Sequence, residues 1–282
     1  MKIALIYNRT PGTIGEYFHR ALQELGESVR QFNLGDTPRP EDRYDIFLRI
    51  DHGDYTHDLP PQLRPRAFYV VDAHLAKSWR SIRRQAAGYD AVFCAQRRAA
   101  ELLPRAHWVP LGCDPAVHRG EPNGAPAYDV AFVGADGGVP RKFYLQELRE
   151  RYPRSCIGKA PYTEMSKIYS RSKIGFHYIE CTSPLRDHVS MRVYEVLAGG
   201  ALLMTNPLEG QAFESVGLRD GQELVIYHSP VELFRLIDHY LGHEANRKRI
   251  AEAGQRAALS AHTYRQRVER MLPILSQVAA ST

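Results

Sequence analysis

Residues 187–210, DHVSMRVYEVLAGGALLMTNPLEG, hold the densest set of groups able to bind an anion. Ser190 is placed to cap a helix that Met191 opens. The N-terminus of a helix offers unpaired N–H groups and the positive end of its dipole, which suit a diphosphate. Arg192 adds a planar fork for phosphate oxygens. Glu195, one turn on, can accept hydrogen bonds from two adjacent hydroxyls, as in a ribose. Val193 and Leu197 lie four apart and form the face that packs on a sheet, while Gly199-Gly200 ends the helix. On spacing alone, the same stretch is also an ordinary surface helix with a charged face.

Other stretches offer chemistry of a similar kind. Gly134 to Lys142, GADGGVPRK, is a glycine-rich loop that sets Arg141 and Lys142 at the start of a helix. Cations are unfavourable there unless an anion is near, and Arg141 is the better phosphate ligand because it binds bidentately. Gly12 and Gly15 lie in a turn-rich loop after the first apolar run, where small residues allow close backbone approach; the loop is equally an ordinary βα turn. Asp72-Ala73-His74 follows an apolar strand, at the edge where α/β sheets bind ligands. Asp51-His52-Gly53-Asp54 follows the preceding strand and imitates a metal ligand set without its convincing spacing. Cys94, Cys113, Cys156 and Cys181 are far apart and form no CxxC pair, so neither a zinc site nor a disulfide framework is expected, and a reducing cytoplasm is the default.

The elements that must position these groups alternate along the chain. Apolar runs at 2–7, 28–34, 44–50, 67–72, 91–95 and 107–112 read as strands, with helical patterns at 17–25, 79–87 and 96–103 between them. Residues 118–127, with two Pro and two Gly, read as a linker. The pattern then restarts: strand 128–134, helix 142–151, strand 173–178, helix 190–198, strand 201–205, helices over 230–241 and 244–259, and a last helix after the capping-box pattern at Thr263. Strands alternating with helices argue parallel α/β sheets. The expected organisation is a Rossmann-like domain over 1–120, a second over 126–262, and a C-terminal helix, 263–282, returning to the first.

Length and composition agree with this. At roughly 150 residues per domain, 282 residues suggest about two domains. Hydrophobic residues at 44% and charged residues at 24% exclude a disordered or collagen-like chain. No run approaches the ~20 apolar residues of a membrane-spanning helix, and MKIALIYNRTPG reads as a first strand rather than a signal peptide. The net charge of +5 is mild, with a local basic cluster at Arg80, Arg83 and Arg84. No RNA- or DNA-binding motif accompanies it, so nucleic acid is not an expected partner.

The second half resembles the GT-B glycosyltransferases, of the group one and CgeB-like (spore maturation protein) kind. Five blocks carry the resemblance in order: YDVAFVG (128–134), IYSRSKIGFHY (168–178), VSMRVYEVLAGGALLMTN (189–206), GQELVIYHSPVEL (221–233) and HTYRQRVERML (262–272). WVPLGCDPAVH (108–118) is similar to the segment that closes the family's N-terminal domain. The resemblance implies an α/β fold of two Rossmann-like domains facing a cleft, with the C-terminal helix packing back on the first. It implies transfer of a sugar from a nucleotide-diphospho-sugar to an acceptor, with retention, no cofactor and no metal. Asp187 and Glu195 stand at the family's carboxylate-x7-Glu offset, with Asp187 in place of the usual Glu. The implied donor site comprises Gly12, Gly15, Gly134, Arg141, Lys142, Asp187, Ser190, Met191, Arg192 and Glu195. His74 would contact the donor sugar, with Asp72 as acid/base, and Asp51 and His52 would face the acceptor. A nucleotide-sugar epimerase, a non-catalytic nucleotide-sugar-binding protein and a nucleic-acid-modifying protein remain the alternatives, and for His74 so does a purely structural histidine.

Overall fold

A computed structural model of the chain describes residues 1–39, 41–120 and 125–281. Residues 121–124, within the stretch read as a linker, lie outside the described residues. The chain forms two compact units. Unit 1 comprises residues 1–111, 181–189 and 264–282; unit 2 comprises 112–180 and 190–263.

Unit 1 alternates strand and helix: β1 (Lys2–Ile6), α1 (Ile14–Glu24), β2 (Ser28–Phe32), β3 (Ile46–Ile50), β4 (Arg66–Val70), a 3-10 turn (Asp72–His74), α2 (Ala76–Ala86), β5 (Ala91–Cys94), α3 (Arg97–Leu102) and β6 (Ala106–Trp108). The six strands are parallel, in the order β2-β1-β3-β4-β5-β6. Strands buried on both faces are mostly apolar, and β3 and β4 are buried at every position; their two charged residues are paired, Arg49 with Asp58 and Arg66 with the Leu59 carbonyl. Ile6, Phe47, Phe68, Val70 and Val92 form the core, which Leu185 of the 181–189 segment joins.

Unit 2 runs α4 (Pro115–His118), β7 (Tyr128–Val133), α5 (Arg141–Arg151), β8 (Ser155–Gly158), α6 (Tyr162–Ser170), β9 (Ser172–His177), α7 (Met191–Gly199), β10 (Leu202–Thr205), α8 (Ala212–Ser215), β11 (Val225–Ile226), α9 (Pro230–Gly242) and α10 (Glu244–Ala261). Its parallel sheet has the order β11-β10-β9-β7-β8. Val130, Phe176, Leu202 and Met204 pack there against Leu145, Leu233 and Ile250 of the helices. α7 ends where Gly200 takes a left-handed φ of 87°, as the Gly-Gly pair suggests.

The last helix, α11 (Tyr264–Ala280), belongs to unit 1. Tyr264 stacks on Tyr17 at 5.3 Å, and the Arg267 guanidinium donates through Nε and Nη2 to the Leu111 carbonyl at 3.1 and 3.0 Å.

Several elements depart from the sequence reading. The strand expected over 107–112 stops at Trp108, and the Arg267 side chain then takes up the Leu111 carbonyl. The strand expected over 28–34 ends at Phe32. β8, α6, α4, α8 and β11 are additional. In each unit the first strand lies between the next two, so the chain winds first one way and then the other. Ligand crevices in such sheets open at the carboxyl ends beside that reversal: β1 and β3 in unit 1, β7 and β9 in unit 2.

Candidate functional site

In unit 2 the carboxyl edge is organised by His177, the last residue of β9. Its Nδ1 lies 2.7 Å from Thr205 Oγ1 at the end of β10, and its Nε2 lies 2.8 Å from Ser190 Oγ. Ser190 does precede α7, but its hydroxyl is turned to His177 and makes no cap hydrogen bond to the helix. Burial, reinforced by the charges of Arg192 and Arg141, pushes the His177 pKa down to about 3, so the ring is neutral. Both guanidinium groups therefore act at this edge, a field suited to an anion.

Arg141 opens α5 and turns back, its Nε donating to the Asp136 carbonyl at 3.2 Å. It lies over Gly137, whose φ is 66° and where a Cβ would stand 2.0 Å from the Arg141 Nη2. Gly137 thus meets two requirements, a left-handed turn and room for the guanidinium. Lys142 is exposed. Gly134 donates its N–H to the Gly158 carbonyl at 2.9 Å, which ties the loop to the end of β8.

Arg192 and Glu195 meet one turn apart on α7. Arg192 Nη1 is 2.5 Å from Glu195 Oε2 and also touches the Met165 sulfur. Glu195 is 1% exposed, yet neither of its oxygens has a donor aligned for a hydrogen bond. The ion pair with Arg192 offsets the burial of its charge, and the unfilled lone pairs leave it able to accept further hydrogen bonds. Met191 is half-buried beside them in sequence.

In unit 1 the corresponding edge holds two carboxylates. Asp51, just past β3, is 4% exposed. Its Oδ2 accepts the Tyr55 hydroxyl at 2.7 Å and the N–H groups of Val71 and Asp72 at 2.9 and 3.1 Å; its Oδ1 accepts the Gly53 N–H at 3.0 Å. Asp51 therefore holds the turn that carries Asp72. Burial, together with the charge of Asp51, pushes the Asp72 pKa up to about 7. A carboxyl poised there can give or take a proton at neutral pH. His52 Nδ1 accepts the Asp54 N–H at 3.3 Å, while its buried Nε2 has no hydrogen-bond partner.

His74 is 8% exposed, and burial lowers its pKa to about 4. Its ring stacks on His188, centroids 3.9 Å apart and 2° from parallel, and its Nδ1 is buried without a hydrogen-bond partner. Gln96 Nε2 is shared between the Val71 carbonyl and His188 Nδ1. Asp187 stands in this unit, while Glu195 stands in the other. Asp187 Oδ2 accepts the Arg98 N–H at 2.9 Å in the first turn of α3, and its Oδ1 is buried without a partner. In the glycine loop, Gly15 packs so closely on the Tyr7 ring that a Cβ would lie 2.2 Å from it, and Gly12 takes φ 77°.

Sequence reasoning missed His177, His188 and Gln96. A polar residue closing an apolar strand was the available signal for His177, as it was for Asp72 and His74. Among the described residues no group of three or more His, Cys, Asp or Glu is placed to hold a metal ion, and no helix is long and apolar enough to cross a membrane. A cavity of about 660 Å³ in unit 1, lined by Arg64, Tyr89, Arg105 and His107 among others, opens at the amino ends of the strands, opposite these groups.

Residues 121–273 match the family described as Glycosyl transferase-like. No curated protein matches the chain in sequence. Among solved structures, Alr3699/HepE of Anabaena in complex with UDP-glucose is similar over 98% of this chain and 100% of its own, at 11% identity and a TM-score of 0.65. An alpha-glucosyltransferase in complex with UDP-glucose and DNA is similar over 98% and 99%, at 11% identity and TM-score 0.70. AviGT4, a glycosyltransferase of avilamycin A biosynthesis, is similar over 100% and 98%, at 14% identity and TM-score 0.66. At these identities the likeness is one of fold, the α/β fold of GT-B glycosyltransferases with its two parallel sheets.

Proposed function

The chain belongs to the glycosyl transferase-like family, and from that premise we propose that it moves a sugar from a nucleoside-diphosphate-sugar to an acceptor hydroxyl, with retention and without metal. The observation that carries this reading is Glu195: a fully buried carboxylate, ion-paired with Arg192 and facing His118 but with no aligned hydrogen bond to either, at a sheet edge under the field of two guanidinium groups. A ribose supplies two hydroxyl donors, and a diphosphate supplies the anion. Uridine is the base to try first, since Alr3699/HepE was solved with UDP-glucose. The five sequence blocks support a CgeB-like reading within that family.

In this reading Arg141 and Arg192 stabilise the diphosphate as it leaves, with the uncapped N–H groups of α7 behind them. The bond from the anomeric carbon to the phosphate oxygen breaks, and its electron pair stays with the diphosphate. The acceptor oxygen bonds to that carbon, and its proton passes to Asp72. His74 is the residue assigned to contact the sugar. Asp187 uses its unpartnered Oδ1 on a sugar hydroxyl, and His52 Nε2 meets the acceptor. Asp51, already holding four donors, serves by raising the Asp72 pKa.

A thermal-shift panel of nucleoside diphosphates and nucleotide-sugars tests the reading. A ligand that binds only the folded chain raises its apparent stability. A shift with at least one nucleotide-sugar, followed by release of nucleoside diphosphate when acceptor is present, is expected. A new sugar stereoisomer formed from donor alone, without released nucleotide, would contradict transfer and indicate epimerisation.

A further inference from the structure

His118 lies in the segment that opens unit 2, 77 positions before Glu195, and is 1% exposed. It is the last residue of α4, a single turn capped by Asp114, whose Oδ1 accepts the Ala116 N–H at 3.0 Å. The Asp114 N–H in turn donates to His118 Nδ1 at 2.9 Å. A nitrogen that accepts a backbone N–H carries no proton, so the neutral ring bears its proton on Nε2. That Nε2 faces Glu195 Oε1 at 3.5 Å.

The turn is held there firmly. Two residues on, the Gly120 N–H donates to the Ala198 carbonyl at 3.1 Å, near the end of α7. Gly120 sits so close that a Cβ would lie 2.2 Å from the Gly199 carbonyl oxygen. The same contact that seats the segment on α7 therefore fixes where the imidazole points. Arg192, the group on the other carboxylate oxygen, is partly exposed, at 24%. His118, by contrast, is 1% exposed on a turn hydrogen-bonded to α7.

We infer that His118 is a positioning residue for nucleotide recognition, its Nε2–H orienting the Glu195 carboxylate so that both oxygens can receive ribose hydroxyls. This rests on the ribose role proposed for Glu195. The role belongs to specificity, since the selection it supports is for a ribose bearing hydroxyls.

The test uses the ribonucleoside diphosphate, among those of U, G, A and C, that binds the wild-type chain most tightly, and its 2′,3′-dideoxy counterpart. His118→Asn can keep an acceptor near Nδ1 but offers no donor near Nε2; His118→Gln can place an amide N–H near Nε2. For His118→Asn, calorimetry should show affinity for the ribonucleotide falling about tenfold, the scale of one hydrogen bond to a charged group, with the dideoxy compound unaffected. His118→Gln should restore most of the loss. Equal losses for both compounds would overturn the positioning role and leave a structural histidine, with Glu195 untouched. If no ribonucleoside diphosphate binds the wild type, the proposed function falls first and His118 with it. Should His118→Asn fail to fold, the wild-type chain labelled with ¹⁵N-histidine decides. Its His118 Nε2–H resonance should move with the ribonucleotide and not with the dideoxy compound, and identical responses would overturn the inference.

Discussion

Replacing Asp72 by Asn should make the protein more stable and less active, by an amount that depends on pH. Burial and the neighbouring Asp51 raise the Asp72 pKa from 3.8 to about 7. Between those two values the folded chain holds a proton that the unfolded chain has released, so folding stability falls as pH rises through that window. A rise of about three pH units, at about 1.4 kcal/mol each, sets a ceiling near 4 kcal/mol on the cost above pH 7. Asn keeps the shape of the side chain and carries no charge at any pH. The stability of Asp72→Asn relative to wild type should therefore grow by up to about 2.5 kcal/mol between pH 5 and pH 8. Urea denaturation at the two pH values measures it. Sugar transfer by the same variant should be strongly reduced, since stored electrostatic strain at a working carboxyl is what substitution removes. A stability gap that does not change with pH, or a variant destabilised at pH 8, would refute the reasoning.

His74→Ala should lower turnover more than it weakens nucleotide binding, the sign of an interaction made chiefly in the transition state; full turnover at the wild-type melting temperature would decide for a structural histidine stacked on His188. Gly137→Ala forces a Cβ into a left-handed turn and against Arg141. It should cost about 1–2 kcal/mol of stability and weaken diphosphate binding several-fold in calorimetry, with wild-type affinity counting against a diphosphate role for Arg141. Chelator treatment should leave sugar transfer intact, and loss of activity restored by Mg²⁺ or Mn²⁺ would redirect attention to Asp51 and Asp54.

The strands were legible because a parallel sheet covered on both faces demands long apolar runs, as at 3–6, 67–70 and 202–204. β8 and β11 escaped because they are edge strands, one half-buried throughout and the other only two residues long. The start of α7 was legible from Ser190, but not what its hydroxyl does, because the partner His177 lies in another strand. Asp187 and Glu195 look like one motif at eight positions' spacing, yet the chain passes from unit 1 to unit 2 between them, at Val189 and Ser190. Asp51 carried no local sign of being saturated, because two of its four donors come from twenty or more residues away. His118 and Glu195 are likewise joined only by tertiary structure, which no periodicity encodes.

Calorimetric titration of UDP into the wild-type chain and into folded Glu195→Ala tests the central claim most directly. The wild type should bind, and the variant should lose about 1–3 kcal/mol, the scale of charge-assisted hydrogen bonds to ribose hydroxyls. Equal affinity in the two proteins would contradict the assignment of Glu195 and the donor site built around it.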